Sequence, residues 1–426
     1  MVEEVRVALF DIVTAISDAV DLVNPALVNH HFRVAYIASS LANELGLGRE
    51  EKDRLLIAGM LHDIGALELR ERIESLDFEF QNPYRHAEMG FLLLRDSEFL
   101  SDEAWLVRFH HVMWLDGEGS EFKGHKVPKG SHILHLSDRV AVLVKGGTDV
   151  LGQVDFVLRV VEEHKGSMFV PEFVDALKSL ARKESFWLDI ASPKLKEIVT
   201  RRRPASELEL DLKALLTIGR ILSRVIDFRS PFTATHTAGV ASTAEALARA
   251  VGFSSREQVL MRLAGYLHDL GKLAVPAEIL EKPGKLTQEE FNVIRSHTYH
   301  TYRTLENIPG LELVNIWGAL HHERLDGTGY PFHLAADDLP LGSRIMAVAD
   351  VFTALTEDRP YRKGMSPKEA LRILEQMAKE GGLDPEVVLA LKRNAEEIDQ
   401  IRRQWQEQAT KEFKALREGW AEGRPS

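Results

Sequence analysis

Histidines and aspartates recur along this 426-residue chain in two ordered sets whose residue types suit metal binding. The adjacent pairs are His268-Asp269, within LAGYLHDLGKLAVP, and His321-His322. Imidazole and carboxylate ligands suit first-row divalent metals such as iron, manganese or zinc. The set in the second half comprises His236, His268, Asp269, His297, His321, His322 and Asp350. Seven ligands exceed one octahedral ion, so this set predicts two ions that share a bridging carboxylate.

The set in the first half repeats the second at a nearly constant spacing. It comprises His30, His62, Asp63, His86, His110, His111 and Asp138. An offset of 206 residues places His62 on His268, and the later histidines follow after a five-residue length change. A shared hydrophobic period could arise between any two helical segments, whereas ordered polar matches should not. The chain is therefore predicted to contain two copies of one fold.

Helices must position these ligands, because apolar residues recur at spacings of three and four on both sides of them. The period is clear in 34–45, 52–61, 240–251 and 257–267. We therefore predict an all-α fold of two tandem helical bundle domains that arose by internal duplication. The predicted boundaries are 1–199 for the first domain, 200–207 for a charged, proline-containing linker, and 208–426 for the second domain with a C-terminal helical extension.

Composition excludes several classes of protein. The chain has no cysteine, which excludes a disulfide framework and any thiolate metal site. Its formal net charge of −12 argues against nonspecific nucleic-acid binding, which needs a basic surface. The acidic, amphipathic start is unlike a signal peptide, and no apolar run is long enough to span a membrane. These features predict a cytoplasmic protein that binds neither nucleic acid nor membrane.

Three longer motifs in the second half carry a family resemblance. LHDLGK around His268, HHERLDGTGYP at 321–331 and ADVFTALTEDRPYR at 349–362 resemble the HD-GYP family. Members of that family are metal-dependent phosphodiesterases of bacterial cyclic dinucleotides, chiefly cyclic di-GMP. The first copy resembles only the broader HD superfamily, because Ala66 stands where the second copy has Lys272, and GEGSE replaces GTGYP. An HD domain ahead of an HD-GYP domain also resembles certain phosphodiesterases of cyclic GMP-AMP.

The resemblance implies roles for particular residues. Asp269 is expected to bridge two ions, with His236, His268 and Asp350 at one ion and His297, His321 and His322 at the other. Lys272 lies one turn past His268, so a continuation of the α-helix would place its ammonium beside the metals, and the resemblance implies that it contacts the scissile phosphate. Tyr330, Arg359 and Arg362 match positions that hold substrate. The implied cofactors are two divalent transition metals in the second domain, iron or manganese, with two more in the first domain as a further hypothesis. The implied partners are a cyclic dinucleotide substrate, diguanylate cyclase (GGDEF) domains that contact the GYP loop, and a second copy of the chain in a homodimer.

Two departures from the family pattern bear on the metals. Members with three metals carry a glutamate four residues before the first histidine, where this chain has Phe232 and the first copy has Ala26. Phenylalanine cannot be a ligand, so two metals are expected. Thr353 stands where an acidic residue is common, and its effect is left open.

Three alternatives to a cyclic di-GMP phosphodiesterase stay open at this point. They are a phosphodiesterase of 3',3'-cyclic GMP-AMP, an HD-type nucleotide phosphohydrolase, and a receptor that binds a cyclic dinucleotide without cleaving it. The GYP loop argues against the phosphohydrolase, and Lys272 with a full ligand set argues against the receptor. For the first copy, which lacks the lysine and the loop, a structural or dimerising role is expected, with ligand sensing as the alternative.

Overall fold

The computed structural model describes residues 5–21, 28–66, 77–78, 83–145, 149–204, 208–228, 235–280, 282, 284–358 and 363–422. Regular structure in these ranges is almost entirely α-helical, so the predicted all-α class is confirmed. The chain divides into two compact units, one built mainly from Leu9–Leu208 and the other mainly from Glu209–Ala415. A short strand near the start of the chain, β1 (Val7–Ala8), belongs to the second unit.

The first unit is a bundle in which the second helix packs against the third and the sixth. Its helices are α1 (Leu9–Asp21), α2 (His30–Glu44), α3 (Arg49–Leu61), α4 (Tyr84–Leu94), α5 (Ser101–Arg108), α6 (Lys129–Leu143), α7 (Val154–Glu163), α8 (Pro171–Ala181), α9 (Glu184–Ile190) and α10 (Leu195–Thr200). A small antiparallel hairpin of β2 (Glu121–Phe122) and β3 (His125–Lys126) precedes α6. The predicted periodic segments 34–45 and 52–61 coincide with α2 and α3.

The second unit repeats this bundle. Its elements are β4 (Glu209–Leu210), α11 (Leu212–Phe228), α12 (His236–Val251), α13 (Ser255–Leu267), α14 (Ala277–Leu280), α15 (Gln288–Leu305), α16 (Glu312–Ala319), α17 (Leu341–Thr356), α18 (Pro367–Lys379), α19 (Pro385–Arg393) and α20 (Ala395–Glu422). Helix α12 packs against α13 and α17, and β4 pairs with β1. The predicted C-terminal helical extension contains two helices from Pro385 onward, which are separated at Asn394.

The turn after each His-Asp pair is held close to the next ligand helix by a glycine. Helix α13 ends at Leu267, and a 3-10 turn over Leu270–Ala274 follows. A Cβ atom on Gly271 would lie 1.9 Å from the carbonyl oxygen of His297, and one on Gly65 would lie 2.2 Å from that of His86. Because no other residue permits this approach, the glycine brings the next histidine beside the aspartate in both copies.

The predicted ligands lie inside an apolar core rather than on a surface. Val240 of α12, Leu263 of α13 and Val348 of α17 are fully or almost fully buried around them. Burying imidazole and carboxylate groups without compensation costs several kcal/mol each, roughly. In the part of the chain that the structure describes, no helix is long and apolar enough to cross a membrane.

Candidate metal centres

Helix ends and inward helix faces position the predicted ligands of the second domain. His236 is the first residue of α12, and His268 and Asp269 directly follow α13. His297 lies within α15, His321 and His322 follow α16, and Asp350 lies within α17. All seven side chains are buried or half-buried, and Asp350 retains 13 % exposure of its side chain. The structure therefore brings the whole predicted set into one region of the second bundle.

The ligand atoms of the second domain separate into two groups. Within each group, all atoms lie within 4.8 Å of one another, and the members are His236, His268 and Asp350 in one group and His297, His321 and His322 in the other. Asp269 lies between them, with Oδ2 3.2 Å from His268 Nε2 and Oδ1 3.3 Å from His297 Nε2. One carboxylate thus faces both groups, which is the placement that a bridging ligand requires.

Hydrogen bonds set the tautomers of three of these histidines. Nδ1 of His268, His297 and His321 donates to the backbone carbonyl three residues earlier, at 2.6–2.7 Å. Because a carbonyl only accepts, Nδ1 carries the hydrogen and the Nε2 lone pair is available to a metal. Among the described residues, His268 Nε2 and Asp269 Oδ1 are buried and find no hydrogen-bond partner. These orphaned atoms fit a pair of divalent ions.

Protonation states in the second domain also suit metal ligands. Burial lowers the pKa of His297 to about 3, and it lowers the pKa of His322 as well, so both imidazoles are neutral near pH 7. Burial alone would raise the pKa of Asp269, but His268 and Lys272 hold it well below its usual range. His236 differs, since the carboxylates of Glu357 and Asp350 outweigh burial and raise its pKa to about 10. A metal at His236 must therefore displace a proton.

Lys272 contacts the carboxylate that lies between the two groups. Its Nζ donates to Asp269 Oδ2 at 2.6 Å, and its side chain is 22 % exposed. The expected continuation of the α-helix is wrong in detail, because the lysine lies in the 3-10 turn after α13. That tighter turn nevertheless places the ammonium group beside the ligands.

The loop of the GYP motif packs against the group formed by His297, His321 and His322. The ring of Tyr330 lies 5.0 Å from that of His322, measured between centroids, and the Tyr330 backbone N–H donates to the His322 carbonyl at 3.2 Å. Both oxygens of buried Glu323 accept backbone N–H groups from Phe332 and Leu334. This carboxylate holds the loop in place. Phe232, Ala26, Arg359 and Arg362, which the sequence singled out, lie outside the described residues.

Three residues near the site were missed in the sequence. The guanidinium carbon of Arg295 lies 4.7 Å from the Tyr330 ring centroid, and Arg295 makes no ion pair among the described residues. Glu357 Oε2 lies 3.1 Å from His236 Nδ1. Buried Asp227 accepts a hydrogen bond from Thr237 at 2.6 Å, and burial raises the pKa of its carboxyl to about 8. Two of these residues had a signal in the sequence: Arg295 lies two residues before a predicted ligand histidine, and Asp227 matches Asp21 at the 206-residue offset.

Thr353, the other departure from the family pattern, lies in the core of the second bundle. Its side chain is fully buried, and its hydroxyl lies 3.4 Å from that of Thr243 on α12. The threonine therefore belongs to the packing between α12 and α17.

The first domain repeats the same ligand arrangement. Asp63 Oδ2 lies 3.4 Å from His62 Nε2, and Asp63 Oδ1 lies 3.1 Å from His86 Nε2. Asp138 Oδ1 lies 3.3 Å from His30 Nε2. Ligand atoms come within 4.8 Å of one another in several overlapping groups. One group contains Asp63, His86, His110 and His111. Others contain His30, His62 and Asp63, and His62, His110 and Asp138. Asp63 again belongs to groups on both sides.

An arginine with no counterpart in the second domain binds the edge of the first-domain site. Arg139 lies 2.5 Å from Asp138 Oδ2, is almost fully buried, and donates to the backbone carbonyls of Asp77 and Phe78. The aligned residue of the second domain is Val351, which carries no charge. Ala66 is fully buried where the second domain has a lysine. The first-domain ligands thus face an internal cation and lack the residue expected to act on a phosphate.

In the first domain, the segment that replaces the GYP loop is hydrogen-bonded to residues 166–168. Residues 115–120 form a turn that is kinked at Asp116 and Gly117, and the backbone N–H groups of 114–116 donate to the carbonyls of 166–168 at 2.7–3.2 Å. Besides its fellow ligands His86 and His110, His111 has the ring of His135 of α6 beside it, at 5.7 Å between centroids. Among the described residues of this domain, no tyrosine ring packs on His111 as Tyr330 packs on His322.

Comparisons with known proteins identify two matching regions and several relatives. Residues 27–143 and 220–387 each match a family described as HD domain. The chain is 32% identical over 396 residues to a 3'3'-cGAMP-specific phosphodiesterase of Vibrio cholerae, covering 91% of both proteins. It is 42% identical over 160 residues to a cyclic di-GMP phosphodiesterase of Pseudomonas aeruginosa, covering 37% of this chain and 38% of that protein.

A solved structure shows the same fold over nearly the whole chain. A cyclic GMP-AMP-specific phosphodiesterase of V. cholerae superposes with a TM-score of 0.65 at 23% identity, covering 92% of this chain and 98% of the other. The likeness extends over both helical bundles, so the tandem arrangement is a fold found in another protein.

Proposed function

The chain belongs to the HD-GYP family of cyclic-dinucleotide phosphodiesterases, and we propose that its second domain hydrolyses a phosphodiester bond of cyclic di-GMP. The observation that carries the proposal is Asp269, whose two oxygens face separate ligand groups while Lys272 binds the same carboxylate at 2.6 Å. The relative that matches over 91% of both chains is specific for 3'3'-cGAMP, which makes that nucleotide the second candidate substrate.

The proposed cofactors of the second domain are two divalent transition ions, iron or manganese. Such ions lower the pKa of a water molecule and relieve the charge on phosphoryl oxygens. One ion would be held by His236, His268 and Asp350, the other by His297, His321 and His322, with Asp269 shared between them. The orphaned, buried His268 Nε2 and Asp269 Oδ1 support this assignment.

Lys272 is proposed to stabilise negative charge on the scissile phosphate. Burial alone would lower the pKa of Lys272, but the carboxylate of Asp269 raises it, so the ammonium stays charged near pH 7. A charged ammonium suits electrostatic stabilisation of a phosphoryl group and cannot act as a base. Its hydrogen bond to Asp269 also orients the proposed bridging carboxylate.

Tyr330 and Arg295 are proposed to hold the substrate beside the ligands. The tyrosine ring packs on His322, and the arginine guanidinium lies over that ring. Aromatic rings stack on bases, and a guanidinium binds phosphate or a guanine edge through paired hydrogen bonds. Arg359 and Arg362 are proposed as further substrate contacts on family resemblance.

The remaining proposals concern the chain as a whole. We propose domain boundaries of 1–199 and 208–426 with a linker at 200–207, a cytoplasmic location, a homodimer, and contact of the GYP loop with GGDEF domains. The absence of cysteine supports the location. Family resemblance supports the GGDEF contact, and the dimerising role expected of the first domain supports the homodimer.

Incubation with defined nucleotides tests the proposed function. The full chain, loaded anaerobically with iron(II) or manganese(II), is mixed separately with cyclic di-GMP, 3',3'-cyclic GMP-AMP and cyclic di-AMP, and the products are separated by chromatography. We expect cleavage of a guanine-containing cyclic dinucleotide and little cleavage of cyclic di-AMP. Binding without a product would favour a receptor, and hydrolysis of linear nucleotides alone would favour a nucleotide phosphohydrolase.

The first domain is proposed to use its metals to stabilise its fold. Metal ions would link helices through imidazole nitrogens that are otherwise buried without a hydrogen bond, since among the described residues neither His30 Nε2 nor His62 Nε2 finds a hydrogen-bond partner. Structural stabilisation is favoured over catalysis because Ala66 replaces the lysine and the GYP loop is missing.

Metal analysis of an Asp63→Ala variant tests this role. The parent should contain about four metal ions per chain, at two per site, and the variant about two. The variant should also melt at a lower temperature, while the turnover rate of the folded protein stays close to that of the parent. An Asp269→Ala protein that still hydrolysed a nucleotide, and lost that activity on adding Asp63→Ala, would contradict a purely structural first domain.

A further inference from the structure

His236 differs from three of the other proposed ligand histidines in the acceptor that its Nδ1 uses. Nδ1 of His268, His297 and His321 donates to a backbone carbonyl three residues earlier. His236 is the first residue of α12, so no carbonyl of its own helix lies three residues before it. Its Nδ1 instead contacts Glu357 Oε2 at 3.1 Å, with both side chains no more than 5 % exposed.

The contact with Glu357 orients the imidazole of His236 toward the other members of its ligand group, His268 and Asp350. With Nδ1 against Glu357, His236 Nε2 lies 3.1 Å from Asp350 Oδ1. Asp350 lies within α17, and Glu357 directly follows the same helix, with its backbone N–H donating to the Thr353 carbonyl at 3.0 Å. Helix α17 and the residue after it thus supply both a proposed ligand, Asp350, and the carboxylate that orients the ring of His236.

We propose that Glu357 is a positioning residue that holds His236 in its metal-binding orientation and tautomer, an inference that rests on the metal site proposed above. A carboxylate that accepts a hydrogen bond from a ligand imidazole fixes the ring and increases the basicity of the ligating nitrogen. Glu357 also adds a buried negative charge near the ions, which favours cation binding.

Comparison of the two domains indicates that the helical bundle does not require this carboxylate. Alignment on Asp138 and Asp350 places Lys145, which is exposed, at the position of Glu357. The first domain keeps all seven ligands and the same helical bundle without a carboxylate there. The feature therefore occurs in the domain that also has Lys272 and the GYP loop, which is the domain proposed to be catalytic.

Metal titration of the full chain tests the proposal without any measurement of turnover. Metal-free parent, Glu357→Ala and Glu357→Gln proteins are titrated with cobalt(II), and binding is followed by visible absorption and calorimetry. In Glu357→Ala, one ion should bind about 10–100-fold more weakly with an altered cobalt spectrum, while the other ions keep their parental affinity. Glu357→Gln should show roughly a tenfold loss, at the low end of that range, because its amide oxygen still accepts a hydrogen bond.

The neighbouring Asp358 provides the matched control. Its Oδ1 accepts from the Gly364 backbone N–H at 2.8 Å, so Asp358→Asn perturbs the same segment without changing the partner of His236. Parental metal affinity is expected for this control. Glu357→Ala with parental affinities and spectrum would overturn the proposal, and if that variant does not fold, parental affinity in Glu357→Gln does so. A parent that binds no ion would instead refute the proposed metal site itself.

Discussion

Asp269→Ala should remove both the metals of the second domain and its phosphodiesterase activity. The two oxygens of this carboxylate face different ligand groups at 3.2 and 3.3 Å, so alanine removes a shared ligand from both. The change also leaves the Lys272 ammonium without the carboxylate that it binds at 2.6 Å, next to buried imidazoles. Turnover should fall by at least about 10³-fold, because the proposed chemistry depends on both ions.

Elemental analysis and product chromatography on one preparation measure the two effects together. Asp63→Ala, the same change at the corresponding position of the first domain, is the matched control and should lose about two ions while keeping turnover. The bridging role is wrong if Asp269→Ala retains the parental metal content. If the metals are lost but hydrolysis continues, the catalytic site lies elsewhere.

Lys272→Ala should separate catalysis from metal binding. The lysine donates to Asp269 and is no ligand itself, so the variant should keep the parental metal content. Turnover should fall by roughly 10²–10³-fold, the usual effect of deleting one electrostatic stabiliser of a transition state. Because the neighbouring carboxylate raises the pKa of Lys272, the parental pH–rate profile should show no lysine titration near neutrality.

Two further variants bracket that result. Lys272→Arg keeps the charge and should retain more activity than alanine, although the planar guanidinium changes the geometry. Ala66→Lys, introduced into an Asp269→Ala protein, should not create activity in the first domain, because the loop that carries Tyr330 is still missing there. Loss of metal from Lys272→Ala would show that the lysine is needed for metal binding and not only for the chemical step.

The amino-acid sequence was sufficient to predict the architecture and the set of histidines and aspartates that the structure brings together. Histidine and aspartate in two ordered copies mark a metal site by residue type alone, because apolar helices seldom bury such groups without a partner. Helical periodicity correctly predicted α2, α3, α12 and α13, since a stripe of apolar residues is a local property of the chain. The internal duplication could also be recognised from the sequence, because it shows in the order and spacing of the polar residues.

Only the tertiary structure decided which other residues surround the ligands. Two contacts depend on helices that meet in space: the pairing of His236 with Glu357 across 121 residues, and the contact of Arg295 with Tyr330. In the sequence Glu357 is an ordinary charge beyond a helix end, and Arg139 is one more arginine. Hydrogen-bond partners of buried groups come from whichever element packs nearby, so residue type and local spacing could identify the ligands but not the neighbours that orient them.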